Sequence, residues 1–152
     1  MHDAFWTASR EMREAFELAA EPASDERVIE NRVDLQMLLG DSAEQREGVR
    51  LKLFDIFDKA HQVLMRDKEA MKPSAQAMFR ELAFWNTIRI VAGFTVSDMA
   101  KSAQAAQRAV HAEAVWPRGM TVRPREGGEF VPASQMLAQI LPQSDYIRSG
   151  MA

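Results

Sequence analysis

Three histidines, His2, His61 and His111, and no cysteine set the limits on metal and thiol chemistry in this chain. Without a thiol there is no disulfide framework, no thiolate zinc site, no cysteine-ligated iron–sulfur cluster and no cysteine nucleophile. Asp58 and His61 stand three residues apart, so one face of a helix would carry both as metal ligands. A di-iron bundle needs two Glu-x-x-His pairs and two further carboxylates, and only this one imperfect pair is present. His61 therefore reads as a structural or surface residue, and neither metal nor cofactor is expected. The pairs Asp55/Asp58 and Glu11/Glu14 have a spacing that acid–base chemistry could use. On amphipathic helices such pairs form the solvated face, and catalysis would require burial to perturb them. Neither G-x-S-x-G nor S-x-x-K occurs. Ser24, Ser42, Ser74, Ser97 and Ser134 fall at expected helix starts, where capping accounts for them. The glycine patterns that cradle phosphate are also missing. No catalytic residue is assigned, and the chain is expected not to be an enzyme; a helical enzyme without motifs ranks third among the readings.

Binding chemistry is better represented. Residues 88–100, IRIVAGFTVSDMA, resemble the centre of a helix-turn-helix, here spanning 76–112. Gly93 stands in the turn, Phe94 follows it, and Ser97 opens the next segment. The pattern then departs: Arg89 occupies a position that close helix packing reserves for alanine, and Ser102 one that should be apolar. The base-reading face would hold Lys101 and Arg108 among alanines, with Gln104 and Gln107. DNA binding is accordingly the second reading, and an ordinary αα-hairpin is its structural counterpart.

The first reading is a protein-interaction module, a regulator, adaptor or inhibitor. Three Trp, eight Phe and ten Met exceed what a plain bundle needs, and Met and Trp are favoured at interfaces. Phe5, Trp6, Met12 and Phe16 mark an N-terminal stripe able to fill a groove or form a homodimer seam. Arg89, on an otherwise apolar helix, demands a partner, and Glu81, eight residues earlier, is too far along the same helix to supply it. Trp116, Arg118, Arg123 and Arg125 belong to a Pro/Gly-rich segment suited to ordering on a partner. The decapeptide from Trp85 to Phe94 resembles the last helix of the TraM quorum-sensing antiactivators, small helical dimers that sequester a transcription factor. The resemblance covers ten of 152 residues and implies a helical inhibitor-type protein.

The elements that must position these residues are read from periodicity. Helices are expected over 3–20, from Ser24 or Asp25 to 39, from the capping box Ser42-x-x-Gln45 through a stripe of Leu53, Ile56, Phe57, Ala60, Val63 and Leu64, and over 74–92 and 98–115. The fourth is apolar nearly all round, which places it at the centre of the core. Residues 118–132 read as loop, or at most a weak two-stranded ribbon around Gly127-Gly128, followed by a short helix over 133–141 with Pro132 at its start. The expected fold is all-α: a five- to six-helix bundle-like single domain over 1–116, with an irregular Pro/Gly-rich arm over 117–152.

Composition agrees with one globular domain: 152 residues, 47% hydrophobic and 27% charged. The net charge of −3 is uneven. Residues 1–71 hold 10 Lys/Arg and 16 Asp/Glu, and residues 72–152 hold 9 and 6, giving −6 and +3. Charged residues throughout 3–17 interrupt any signal-peptide core, and no run reaches the ~18 apolar residues of a membrane span. A cytoplasmic protein with no membrane association is expected.

Overall fold

The computed structural model describes residues 2–16, 31–66, 73–95 and 119–140. In chain order they form α1 (His2–Ala15), β1 (Asn31–Asp34), α2 (Leu35–Leu39), α3 (Ala43–Arg66), α4 (Pro73–Val91), β2 (Met120–Arg123), β3 (Val131–Pro132) and α5 (Ala133–Ile140). The helix expected over 98–115, the first part of that expected over 24–39, and everything beyond 140 lie outside the described residues.

The all-α expectation is wrong. Five helices among the described residues accompany a three-stranded mixed sheet of order β1-β2-β3. β1 pairs parallel with β2, Asn31 opposite Met120 and Val33 opposite Val122. β2 then pairs antiparallel with β3, Val122 opposite Val131. What had looked like the end of the second helix is therefore strand followed by one short helix. Asp34 is the reason locally. Its backbone is extended, at φ −92° and ψ 103°, and its carboxylate accepts from the amides of Gln36 at 3.0 Å and Met37 at 3.3 Å. A residue capping α2 in this way cannot also continue a helix arriving from upstream. The strand's partner lies almost ninety residues further on, beyond the reach of local periodicity.

The ribbon expected within 118–132 is present as β2 and β3, with Gly127 N–H donating to Pro124 O at 3.0 Å in the connection. Alternation orients β2: Met120 and Val122 are buried, while Thr121 and Arg123 look the other way. Val33 lies beside Val122 on the buried face.

α2 ends at Gly40, whose φ of 59° favours glycine and whose N–H donates to Gln36 O at 3.0 Å. The chain turns there and α3 begins. Ser42 Oγ accepts from Gln45 N at 3.1 Å, one half of the expected capping box. The other half differs, because the Gln45 amide reaches back to α2 and donates to Met37 O at 3.0 Å and Leu38 O at 3.2 Å. One side chain thus satisfies two end-of-helix carbonyls and fixes the α2–α3 corner.

α3 buries Leu53, Ile56, Phe57, Ala60 and Val63 of the expected stripe, with Val49 one turn before it; the side chain of Leu64 lies outside those described. It packs against α1, α2 and α4. α4 is buried without a break from Glu81 to Val91, its last residue. It has no polar face because it is covered all round. α5 lies on α4 and on β2 and β3, inserting Ala133 and Leu137. Residues 119–140 therefore share one core with the helices. Full burial of each large apolar side chain contributes roughly 1.5–3 kcal/mol.

Candidate functional site

Thr87 donates to Ala83 O at 2.8 Å within α4, and the other buried polar residues among those described fall into two groups. The first joins α1 to α4. Phe5, Ser9, Met12 and Arg13 follow one another at helical steps on the inner face of α1, so Ser9 and Arg13 enter the core with the apolar stripe. Arg13 is 1% exposed and Glu81, on α4, 2%. The guanidinium grips the carboxylate at both oxygens, with Arg13 Nε 2.9 Å from Oε2 and Nη2 2.5 Å from Oε1. Ser9 Oγ donates to Glu81 Oε2 at 2.6 Å and accepts from Trp85 Nε1 at 2.8 Å. The guanidinium carbon also sits 3.9 Å from the centroid of the Phe84 ring, a cation–π contact strengthened by desolvation. Charge, hydroxyl and indole satisfy one another here. Ser9 is an interior crosslink with its donor and acceptor both in use, so the chemistry available here is structural.

The second group closes the end of α4. Arg89 is 4% exposed. Its Nε donates to Asn86 Oδ1 at 3.0 Å and its Nη1 to Phe94 O at 2.7 Å. These two partners are local, one turn back and one turn on. A cation at a helix C-terminus also faces the negative end of the peptide dipoles. Arg46 lies 4.5 Å over the Phe94 ring and covers the same corner.

On the outer face of the sheet, Arg123 Nη1 meets Asp34 Oδ2 at 3.3 Å, tying β2 to the cap of α2. Arg125 donates to Gly40 O at 3.4 Å, and Arg32 lies 5.5 Å over the ring of Phe130. Thr121 Oγ1 and Arg123 Nε are buried there without a hydrogen-bond partner.

An open feature lies between α1 and α3. Ala8, Glu11, Met12, Leu51, Lys52 and Asp55 line a cleft of about 300 Å³. Met12 is buried, Leu51 is 51% exposed, and Glu11 and Lys52 face solvent. Asp55 pairs with Lys59 at 2.7 Å, and Lys52 Nζ lies 5.2 Å over the ring of Phe16. The cleft is apolar below and charged at the rim, and no pair of titratable groups converges within it.

The interaction residues read from sequence are thus dispersed. Phe5 and Met12 are buried in the chain's own core, and Trp6 and Phe16 pack against it half-buried. Arg89 closes α4, while Arg123 and Arg125 hold the sheet to α2. Trp116, Arg118, Lys101 and Arg108 lie outside the described residues. His61 is half-buried in α3, and no three His, Asp or Glu gather into a metal-sized cluster among the described residues. No helix among them is long and apolar enough to cross a membrane.

Sequence reasoning missed Ser9, Arg13, Glu81 and Leu51. A signal for the first two was present: they stand four and eight residues after Phe5, on the stripe itself. Leu51 is apolar on the polar side of α3, between Arg50 and Lys52, which is the mark of an exposed anchor. Comparison with protein-family models, with curated proteins and with solved structures finds no match to this chain.

Proposed function

We propose that this chain is a small cytoplasmic interaction module, a regulator, adaptor or inhibitor, that works by seating a segment of a protein partner between α1 and α3. The observation that carries this reading is the cleft of about 300 Å³ with the half-exposed Leu51 at its mouth. An apolar side chain kept in water beside a concave floor, with charged residues around it, has the anatomy of a small docking site: apolar centre, polar rim. The buried ionic groups support the same reading. They brace α1 against α4 and so hold one wall of the cleft in place, which lowers the ordering cost of binding.

The test is site-specific photo-crosslinking in the native host, with a photoreactive phenylalanine at position 51 and identification of the products. One protein should dominate, and it should disappear when Ala8→Trp fills the cleft or Leu51→Asp charges its mouth. Each variant should keep the helical circular dichroism and melting of the parent. A crosslink to a second copy would make the partner this chain itself. Absence of any protein product sensitive to both variants would overturn the proposal.

A further inference from the structure

We infer that the α1–α3 cleft is filled by the same cleft of a second copy of this chain, the two related by a twofold axis along the seam between α1 and α3; this rests on the docking proposal above and names the partner. The balance of charge at the cleft carries the inference. Asp55 is paired with Lys59. Glu11 on α1 and Lys52 on α3 bring the lining its remaining charges, one of each sign on opposite walls. Both are exposed, and Lys52 keeps its charge over the Phe16 ring. Among the described residues they form no ion pair, with each other or elsewhere. Arg10 and Glu14, exposed one turn apart on α1, are opposite in sign and stand outside the lining.

A twofold axis turns this balance into attraction. Rotation about the seam lays α1 of one copy over α3 of the other. Glu11 then faces the second copy's Lys52, and Lys52 faces its Glu11, so two opposed pairs form at once. A partner of a single sign would relieve one of these charges and meet the other with repulsion. Shape is matched in the same way. The patch carries a knob, Leu51 at 51% exposure, beside a hole of about 300 Å³ floored by Ala8 and Met12. The same rotation carries each Leu51 toward the floor of the opposite cleft. A surface that holds both halves of a contact, in charge and in shape, is what an isologous interface requires. Six lining residues, against roughly 20–30 on each side of a standard interface, place the pair among weak associations, with monomer and dimer exchanging at about micromolar concentrations.

The test is sedimentation velocity of the full chain over roughly 1–500 µM. The average mass should rise from that of one chain toward that of two. Leu51→Asp should weaken association about tenfold or more, since two leucines lose their contact at once. Glu11→Lys and Lys52→Glu should each weaken it about three- to thirtyfold, because each substitution breaks both pairs. The doubly reversed chain, Glu11→Lys/Lys52→Glu, should recover the association. An equimolar mixture of the two single charge variants should recover it as well, since one copy then offers two cations to the other's two anions. All these positions are exposed, and each variant should melt like the parent at a concentration where both are monomeric. A chain that stays monomeric throughout, one whose dimer ignores all three single variants, or charge variants that neither the double reversal nor the mixture rescues would overturn this inference. A crosslink from position 51 to another protein would then leave the docking proposal standing. A monomeric chain with no protein crosslinked at position 51 would overturn both.

Discussion

Removing one member of the Arg13–Glu81 pair should destabilise this protein far more than removing both. In Glu81→Ala, the Arg13 guanidinium keeps its place beneath Phe84, 1% exposed, but loses its two charge-assisted hydrogen bonds to Glu81. Ser9 loses the acceptor of its hydroxyl at the same time. Breaking a buried pair in this way costs about 3–5 kcal/mol, because the remaining charge stays desolvated. A domain has only ~5–15 kcal/mol of total stability. The change corresponds to a fall in Tm of roughly 6–20 °C for a chain of this size. In Arg13→Met/Glu81→Met the charges are gone and apolar volume replaces them. Trp85 still donates to Ser9, so the main residual cost is the orphaned Ser9 hydroxyl, about 1–2 kcal/mol. Urea titration of the wild type, Arg13→Met, Glu81→Met and Arg13→Met/Glu81→Met completes a double-mutant cycle, with Glu81→Ala measured beside it, and the double variant should be more stable than either Glu81 single variant. Equal additive losses, or a Glu81→Ala cost under ~1 kcal/mol, would refute the buried clasp.

Arg89→Leu should cost about 1–3 kcal/mol by leaving Asn86 Oδ1 and Phe94 O without this donor; an unchanged urea midpoint would show that the guanidinium does not close α4. Asp34→Ala should cost about 0.5–2 kcal/mol through the lost cap of α2. It should also loosen the pairing of β1 with β2, since Arg123 loses its carboxylate; hydrogen exchange of the β1 and β2 amides reads this directly. Gly40→Ala should destabilise by at least ~1 kcal/mol, since φ is 59° and the added Cβ would displace Gln45 from Met37 O and Leu38 O. Calorimetry would sink that reasoning if the melting temperature rose.

Much of the helical framework was legible from residue order. The stripe of α3, the uniformly apolar α4 and the start of α5 after Pro132 rest on contacts within a few residues, and spacing encodes those contacts. The sheet was not legible. Asn31–Asp34 carries one buried side chain, Val33, and its hydrogen bonds go to Met120–Arg123. A four-residue strand with a distant partner leaves almost no periodic trace. The candidate cleft was split in the same way. Glu11 and Asp55 announced solvated helix faces, but that these faces adjoin is a consequence of α1 packing on α3.

Taken alone, residue order determined the helical character of α1, α3, α4 and α5, the acidic character of the first half, and the absence of cysteine chemistry. These are local or summed properties and need no partner. Tertiary structure alone decided what the polar residues do. Arg13 and Glu81 are 68 positions apart, and each in isolation reads as another charge on a helix. Packing α1 over α4 removes both from water and makes each the other's required partner. The same packing turns Arg13 away from the surface, where Arg10, Glu11 and Glu14 remain exposed.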